Sequence, residues 1–259
     1  MRNYMKMTRT LITILTIGLL CSCFSRDKKQ SNSIVEFKTL DTTISFAGFW
    51  VIERYVNDIK KTQSARQSQG SDESCITIPE RTLQVTRMVW GFHDGGADLV
   101  IVKDGDNYQL WDSELKEKAK DIEIISNDKI KIGNKDFIKI SCVDNTVTNS
   151  NPTILEEILF KGKYRSDNGA TIEFKANGQI SGLDNFSYYS AIIDYSGPAL
   201  DIDQIALGQS KNTTNLFGYK FNKDTLSIYK ITCTDYDSTN NMCGVVDYGE
   251  LTYKLWRTE

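Results

Sequence analysis

Among 259 residues there is a single histidine, His93, and there are only 3 prolines. One histidine removes His-rich metal sites and leaves a Ser/His/Asp triad only this one imidazole to use. No Gly-x-Ser-x-Gly elbow and no Cys-x-x-Cys pair occurs, so neither a hydrolase nucleophile turn nor a zinc spacing marks the chain. Basic residues are not in excess: 31 Lys+Arg stand against 34 Asp+Glu, a net charge of -3. With no block of cations to follow a phosphate backbone, nucleic acid is excluded as a partner class. With 40% hydrophobic and 10% aromatic residues, the chain has a core to bury and is not a disordered tail.

A long apolar run is also missing. The chain opens with three basic residues, Arg2, Lys6 and Arg9, and no acid, then runs apolar from Leu11 to Leu20, which is too short to span a bilayer. A basic start, a short apolar run and small residues beyond it read as a secretory signal peptide over residues 1–22. The following Leu20-Cys21-Ser22-Cys23 resembles the lipobox of bacterial lipoproteins, in which a small residue directly precedes the acylated cysteine. Cys23, behind Ser22, fits that rule; the rival is Cys21, behind the bulkier Leu20. The resemblance implies a diacylglyceryl group and an amide-linked acyl chain such as palmitate on Cys23, a permanent anchor. Phe24, and not Asp, follows, which implies the outer membrane, on its periplasmic face or at the cell surface. Loss of residues 1–22 deletes three basic residues and no acid, so the net charge moves from -3 to -6.

Of the 6 cysteines, Cys75, Cys142, Cys233 and Cys243 remain for an oxidising compartment where disulfides persist, and four thiols allow three pairings. Cys233 and Cys243 flank a polar stretch between two strand-like runs, so a bridge closing that loop is expected. Cys75 and Cys142 then pair across the first domain. The alternative is that some stay reduced and buried.

Residues 23–45 are polar without an apolar period and read as a lipidated tether. Beyond them, short β-branched and aromatic runs alternate with Gly, Asn and Asp. Strands are expected at 83–92, 98–103, 107–111, 122–126, 129–132 and 136–140, then at 162–165, 170–175, 179–183, 188–194, 204–207, 216–221, 225–233 and 250–257. Asp104-Gly105-Asp106-Asn107 and Gly133-Asn134 are hairpin turns, because their residues tolerate positive φ. One short helix is expected at 53–64, where Ile52, Tyr55, Val56 and Ile59 recur at helical spacing. Residues 143–152 are polar and read as a linker between a first domain, 46–142, and a second, 153–259. The two halves look like copies of one plan. One opens Phe46-Ala47-Gly48-Phe49-Trp50 and the other Phe160-Lys161-Gly162-Lys163-Tyr164, and each closes on a strand pair.

An opening Gly-x-aromatic strand followed by about eight antiparallel strands resembles the lipocalin-like group of small β-barrels, in which a closing basic residue, here Arg257, packs over the opening aromatic. The second half, around Gly178–Gly182 and Asp201–Ile205, also resembles small heat-shock lipoproteins of HslJ type, without the cysteines of that family's central motif. These resemblances imply a mainly β chain of two small antiparallel lipocalin-like barrels in tandem, with one short helix in the first.

His93, Asp94 and Asp98 surround Gly95-Gly96 and read as a hairpin turn. The aromatics Trp50, Trp90, Trp111, Tyr188, Tyr189, Tyr219 and Trp256 fall on strands, where they fill a barrel or line a ligand cavity. The 234–242 loop is an insertion that a barrel does not require, and Asp235, Tyr236 and Asp237 on it form a candidate binding site. The resulting expectation is a lipid-anchored envelope lipoprotein acting as a non-enzymatic binding module, with no cofactor and no metal. Its partners are the membrane, through the lipid, and an envelope protein. The alternatives are an inhibitor or immunity-type protein for an enzyme or toxin, and a carrier of a small apolar ligand in a barrel cavity.

Overall fold

The opening aromatics set the architecture. Phe46 and Trp50 are four residues apart, and the buried Trp50 indole donates its Nε1–H to the Phe46 carbonyl at 3.0 Å. Phe160 and Tyr164 repeat the arrangement, with the Tyr164 hydroxyl donating to the Phe160 carbonyl at 2.8 Å. A buried ring donor needs an acceptor, and in both halves the backbone four residues earlier supplies it. The glycine two positions after each phenylalanine, Gly48 or Gly162, has φ of 138° or 151°. L side chains rarely adopt such φ values, and at Gly162 a Cβ would also stand 2.6 Å from the Glu259 backbone oxygen, whereas at Gly48 the nearest atom is the movable end of Lys139, so the backbone conformation is what favours glycine at both.

In this computed structural model, which describes residues 42–68, 73–92, 95–141 and 153–259, each half closes on itself as an eight-stranded antiparallel barrel. The first comprises β1 (Gly48–Ile52), β2 (Glu73–Ile78), β3 (Val85–Trp90), β4 (Gly96–Asp104), β5 (Asn107–Asp112), β6 (Lys118–Ser126), β7 (Lys129–Ile132) and β8 (Lys135–Ile140). The second comprises β9 (Gly162–Ser166), β10 (Thr171–Phe174), β11 (Gln179–Leu183), β12 (Phe186–Ala191), β13 (Gln204–Ser210), β14 (Thr213–Asn222), β15 (Thr225–Asp237) and β16 (Met242–Arg257). Every strand pairs with its neighbour in sequence, and the last returns to the first. These are up-and-down barrels without free edges at closure. Both expected tight turns form, with Gly105 at φ 61° and Gly133 at φ 60° and the flanking pairs Asp104↔Asn107 and Ile132↔Lys135 in register.

Closure places the two ends of each barrel together. Trp50 pairs with Lys139 across β1–β8, and Tyr164 with Arg257 across β9–β16. The Lys139 ammonium lies 5.6 Å from the Trp50 ring centroid and the Arg257 guanidinium 5.2 Å from that of Tyr164. The expected packing of Arg257 on the opening aromatic is therefore present, and the first barrel carries the same device with lysine.

Side chains occupy both interiors. In the second barrel the Phe160 ring sits among Phe174, Tyr189, Tyr219 and Phe221, at centroid distances of 4.9 to 6.1 Å. Of the aromatics named from the sequence, Trp50, Tyr189 and Tyr219 are fully buried, whereas Trp90 is 46% exposed and Trp111, Tyr188 and Trp256 are half-buried.

Helix α1 (Glu53–Thr62) follows β1, with Tyr55, Val56 and Ile59 buried as the spacing predicts. Thr153–Phe160, to which no element is assigned from the sequence, forms a short helical entry that ends in a wide π-type turn, Glu156–Phe160. The folded part begins before residue 46: Thr43 bridges Arg81, and Ile44 is buried. One continuous buried cluster runs through both barrels, which belong to one compact unit, Thr39–Glu259. The expected signal peptide, Cys23, most of the tether, His93, Asp94, Cys142 and the 143–152 linker lie outside the described residues.

Candidate functional site

The second barrel needs β15 only as far as Lys230, the last residue paired with β14. From Ile231 onward β15 pairs with β16 alone, so Ile231–Asp237 and the facing part of β16 form a two-stranded ribbon that runs beyond the barrel wall. The segment read from sequence as an irregular loop, 234–242, is thus the tip of a hairpin whose turn is confined to residues 238–241. Register shifts at Cys233/Asp235 and Asp235/Tyr236 interrupt the in–out alternation there, which is why the polar stretch reads as a loop.

Cys233 and Cys243 are joined by a disulfide, with their Cα atoms 5.9 Å apart. Cys75 is buried on β2, and its expected partner, Cys142, is outside the described residues. The flank of the ribbon is held to the barrel by the loop before β13. The Ala199 N–H donates to the Gly244 carbonyl at 3.0 Å, and the Val246 N–H to Asp201 Oδ2 at 3.0 Å.

Asp235, Tyr236 and Asp237 come together at the tip, where Tyr236 is 58% and Met242 52% exposed, with Val245 alongside. Their roles differ. Asp237 organises the turn: its Oδ1 accepts the Thr239 N–H at 2.8 Å, and its Oδ2 accepts the Asn240 amide at 2.7 Å. These bonds, that of the Asn240 side chain foremost, hold its carboxyl below the usual carboxylate range. The Tyr236 hydroxyl donates to the Asn241 side-chain oxygen, which fixes the ring while leaving its face in solvent. Asp235 lies beside Gly244, 3.6 Å from where a Cβ there would stand. The tip is a preorganised aromatic and apolar surface flanked by carboxylates.

A second group of residues has no counterpart in the sequence reading. After α1, the Ser64 hydroxyl donates to Asp203 Oδ2 at 2.5 Å and the Arg66 N–H to Asp203 Oδ1 at 2.9 Å, so a nearly buried carboxylate of the second barrel is held by the first. Tyr195 completes the set, donating to Asp203 Oδ1 at 3.4 Å and accepting the Gln204 N–H at 3.0 Å. Nearby, the Gln63 amide donates to the Lys223 carbonyl at 2.9 Å while its oxygen accepts the Lys223 N–H at 3.0 Å. Glu156 and Tyr55, both 2% exposed, also lie in this seam. An acid inside the apolar run Ile154-Leu155-Glu156-Glu157-Ile158-Leu159 was the one signal that could have found it.

Among the described residues no group of three or more His, Cys, Asp or Glu is placed to hold a metal, and Asp98 pairs with Arg87 at 3.4 Å. Surface depressions of about 340 to 570 Å³ lie at strand ends and beside α1, lined mainly by polar residues such as Asp121, Gln209 and Asp136. Comparison with protein-family models, with curated proteins and with solved structures finds no match to this chain.

Proposed function

We propose that the chain is a lipid-anchored envelope lipoprotein whose paired barrels present the β15–β16 ribbon to a protein partner, as a binding module without catalytic activity of its own. The ribbon carries this reading. It extends past the last residue that closes the barrel, is bridged by Cys233–Cys243 and is held at its flank by Ala199 and Asp201. It also keeps Tyr236, Met242 and Val245 in solvent. A braced hairpin loses little freedom on docking, which is how preorganised surfaces gain affinity, and an exposed tyrosine is a common interface anchor.

The lipid anchor rests on the basic start, the apolar run and Ser22-Cys23, with acylation at Cys23 and residence at the outer membrane. A projecting ribbon also suits an inhibitor that enters the cleft of an enzyme or toxin. An apolar cargo would have to displace Phe160 and the rings around it, so the carrier reading is not the one adopted.

The test places a photo-crosslinking amino acid at position 236 in intact cells, in the wild type and in Cys23→Ala. A discrete adduct at 236, absent when the crosslinker stands at barrel position 165, supports the module. Equal labelling at both positions contradicts it. Retained acyl labelling in Cys23→Ala, with its loss in Cys21→Ala, would move the anchor to Cys21.

A further inference from the structure

Thr153–Phe160 leads into the second barrel and carries Glu156 into the seam, where the side chain is 2% exposed. Glu156 Oε1 accepts the Ala191 N–H at 2.8 Å, and the Ser190 hydroxyl and the backbone N–H of Glu156 itself also donate to the carboxylate. None of these donors is a cation. From the first barrel, α1 contributes Tyr55, equally buried, whose hydroxyl has no hydrogen-bond partner among the described residues and which lies within electrostatic reach of Glu156 and Asp203. From β12 comes the phenol of Tyr189, and Glu157 follows on the same segment. The neighbouring cations are engaged elsewhere: Lys161 with Glu157 at 2.9 Å, and Arg257 with the Leu159 carbonyl and the Tyr164 hydroxyl.

A fully buried carboxylate beside the Tyr55 and Tyr189 phenols, met only by neutral donors, is costly to ionise. Burial accordingly pushes Glu156 up to about 7, against the pull of its hydrogen bonds. We propose that Glu156 operates a proton-dependent clasp between the barrels: while its carboxyl is protonated the Thr153–Phe160 segment is held against α1, and loss of the proton weakens that hold. The protonated carboxyl is neutral and adds a donor to a seam where the Tyr55 hydroxyl lacks a partner; the carboxylate keeps its accepted hydrogen bonds but brings a buried charge that no cation offsets.

An opened segment exposes Glu156 to water, where its ordinary value is 4.5. The opening equilibrium therefore grows about tenfold per pH unit between the open and closed values and levels off above the closed one.

The test is hydrogen exchange of the full-length protein in detergent micelles at pH 5, 6, 7 and 8, corrected for intrinsic rates, following a peptide over 153–160 against one over 219–228. Wild-type protection of 153–160 should fall roughly fortyfold between pH 5 and 7 and by no more than about twofold further to pH 8, while Glu156→Gln should show no such slope. Constant wild-type protection, or the same slope in Glu156→Gln, overturns the clasp. Should Glu156→Gln not fold, the infrared carboxylic-acid C=O band of the wild type decides. A buried band still present at pH 6 that fades through about pH 7, where the loss of protection levels off, supports the proposal, and its absence at pH 6 overturns it.

Discussion

The Ser64 hydroxyl of the first barrel donates to the Asp203 carboxylate of the second at 2.5 Å, across 139 positions of sequence. With the Arg66 N–H on the other oxygen, this makes Asp203 a shared part of both barrels although no strand passes from one to the other. Asp203→Ala removes charge-assisted bonds from a nearly buried site and should cost about 2 to 3 kcal/mol. It should also split one calorimetric unfolding transition into two. A single transition at the wild-type temperature would show that the seam does not couple the barrels.

The same seam alters what cleavage between the barrels should do. A protease site inserted within 143–152 should yield two β-rich fragments that still co-elute on gel filtration, and Asp203→Ala should let them separate. Fragments that part without the substitution would mean that each barrel is independent.

Phe160 is the ring on which the second barrel is packed, in contact with four other aromatics. Phe160→Ala should cost about 3 to 5 kcal/mol in denaturant unfolding, whereas Phe160→Leu, which keeps most of the volume, should cost less than half of that. Equal losses would mean that the interior is not close-packed around this ring.

Glu156 gives the folded chain a component of stability with a definite pH sign. Its folded value is raised, so the contribution is fully present below its unfolded value of 4.5 and is lost as pH rises through about 7. The unfolding free energy of Glu156→Gln, relative to wild type, should therefore rise by roughly 2 to 3 kcal/mol from pH 5 to pH 8. A pH-independent difference would remove Glu156 from the balance.

Cys233 and Cys243 lie beyond Lys230, outside the part of β15 that closes the barrel. A bridge over ten residues is worth about 2 to 3 kcal/mol by chain entropy when its loop folds with the whole. Here that stabilisation should be local: Cys233→Ser with Cys243→Ser should leave the melting temperature within a degree or two while cleavage at the ribbon tip accelerates. A drop of several degrees would show that ribbon and barrel unfold as one unit.

Much of the architecture was legible in short patterns. Positive-φ turns at Gly105 and Gly133, the alternation in Thr171–Phe174 and the repeated Phe-x-Gly-x-aromatic opening depend on neighbours a few residues apart, and all of them formed. β2 was hidden because Glu73-Ser74-Cys75-Ile76-Thr77-Ile78 follows a polar stretch and is buried at most of its positions, so it lacks a clean in–out alternation. The ribbon tip reads as a loop in the sequence because nearly all of it is in water and no alternation marks it. The helical entry at 153–160 is too short to declare a period. Ser64 and Asp203 carry no sign of each other, since a single hydrogen bond between distant segments leaves no periodicity.

In the proposed function the ribbon tip, and not the barrel wall, engages a protein partner. The most direct measurement is quantitative mass spectrometry of envelope proteins captured by the immobilised mature chain, comparing wild type with the Asp235→Ala, Tyr236→Ala double variant at matched thermal stability. One dominant protein is expected in the wild-type capture, reduced at least tenfold in the variant, with an unchanged melting temperature. Equal capture by the two proteins would contradict it.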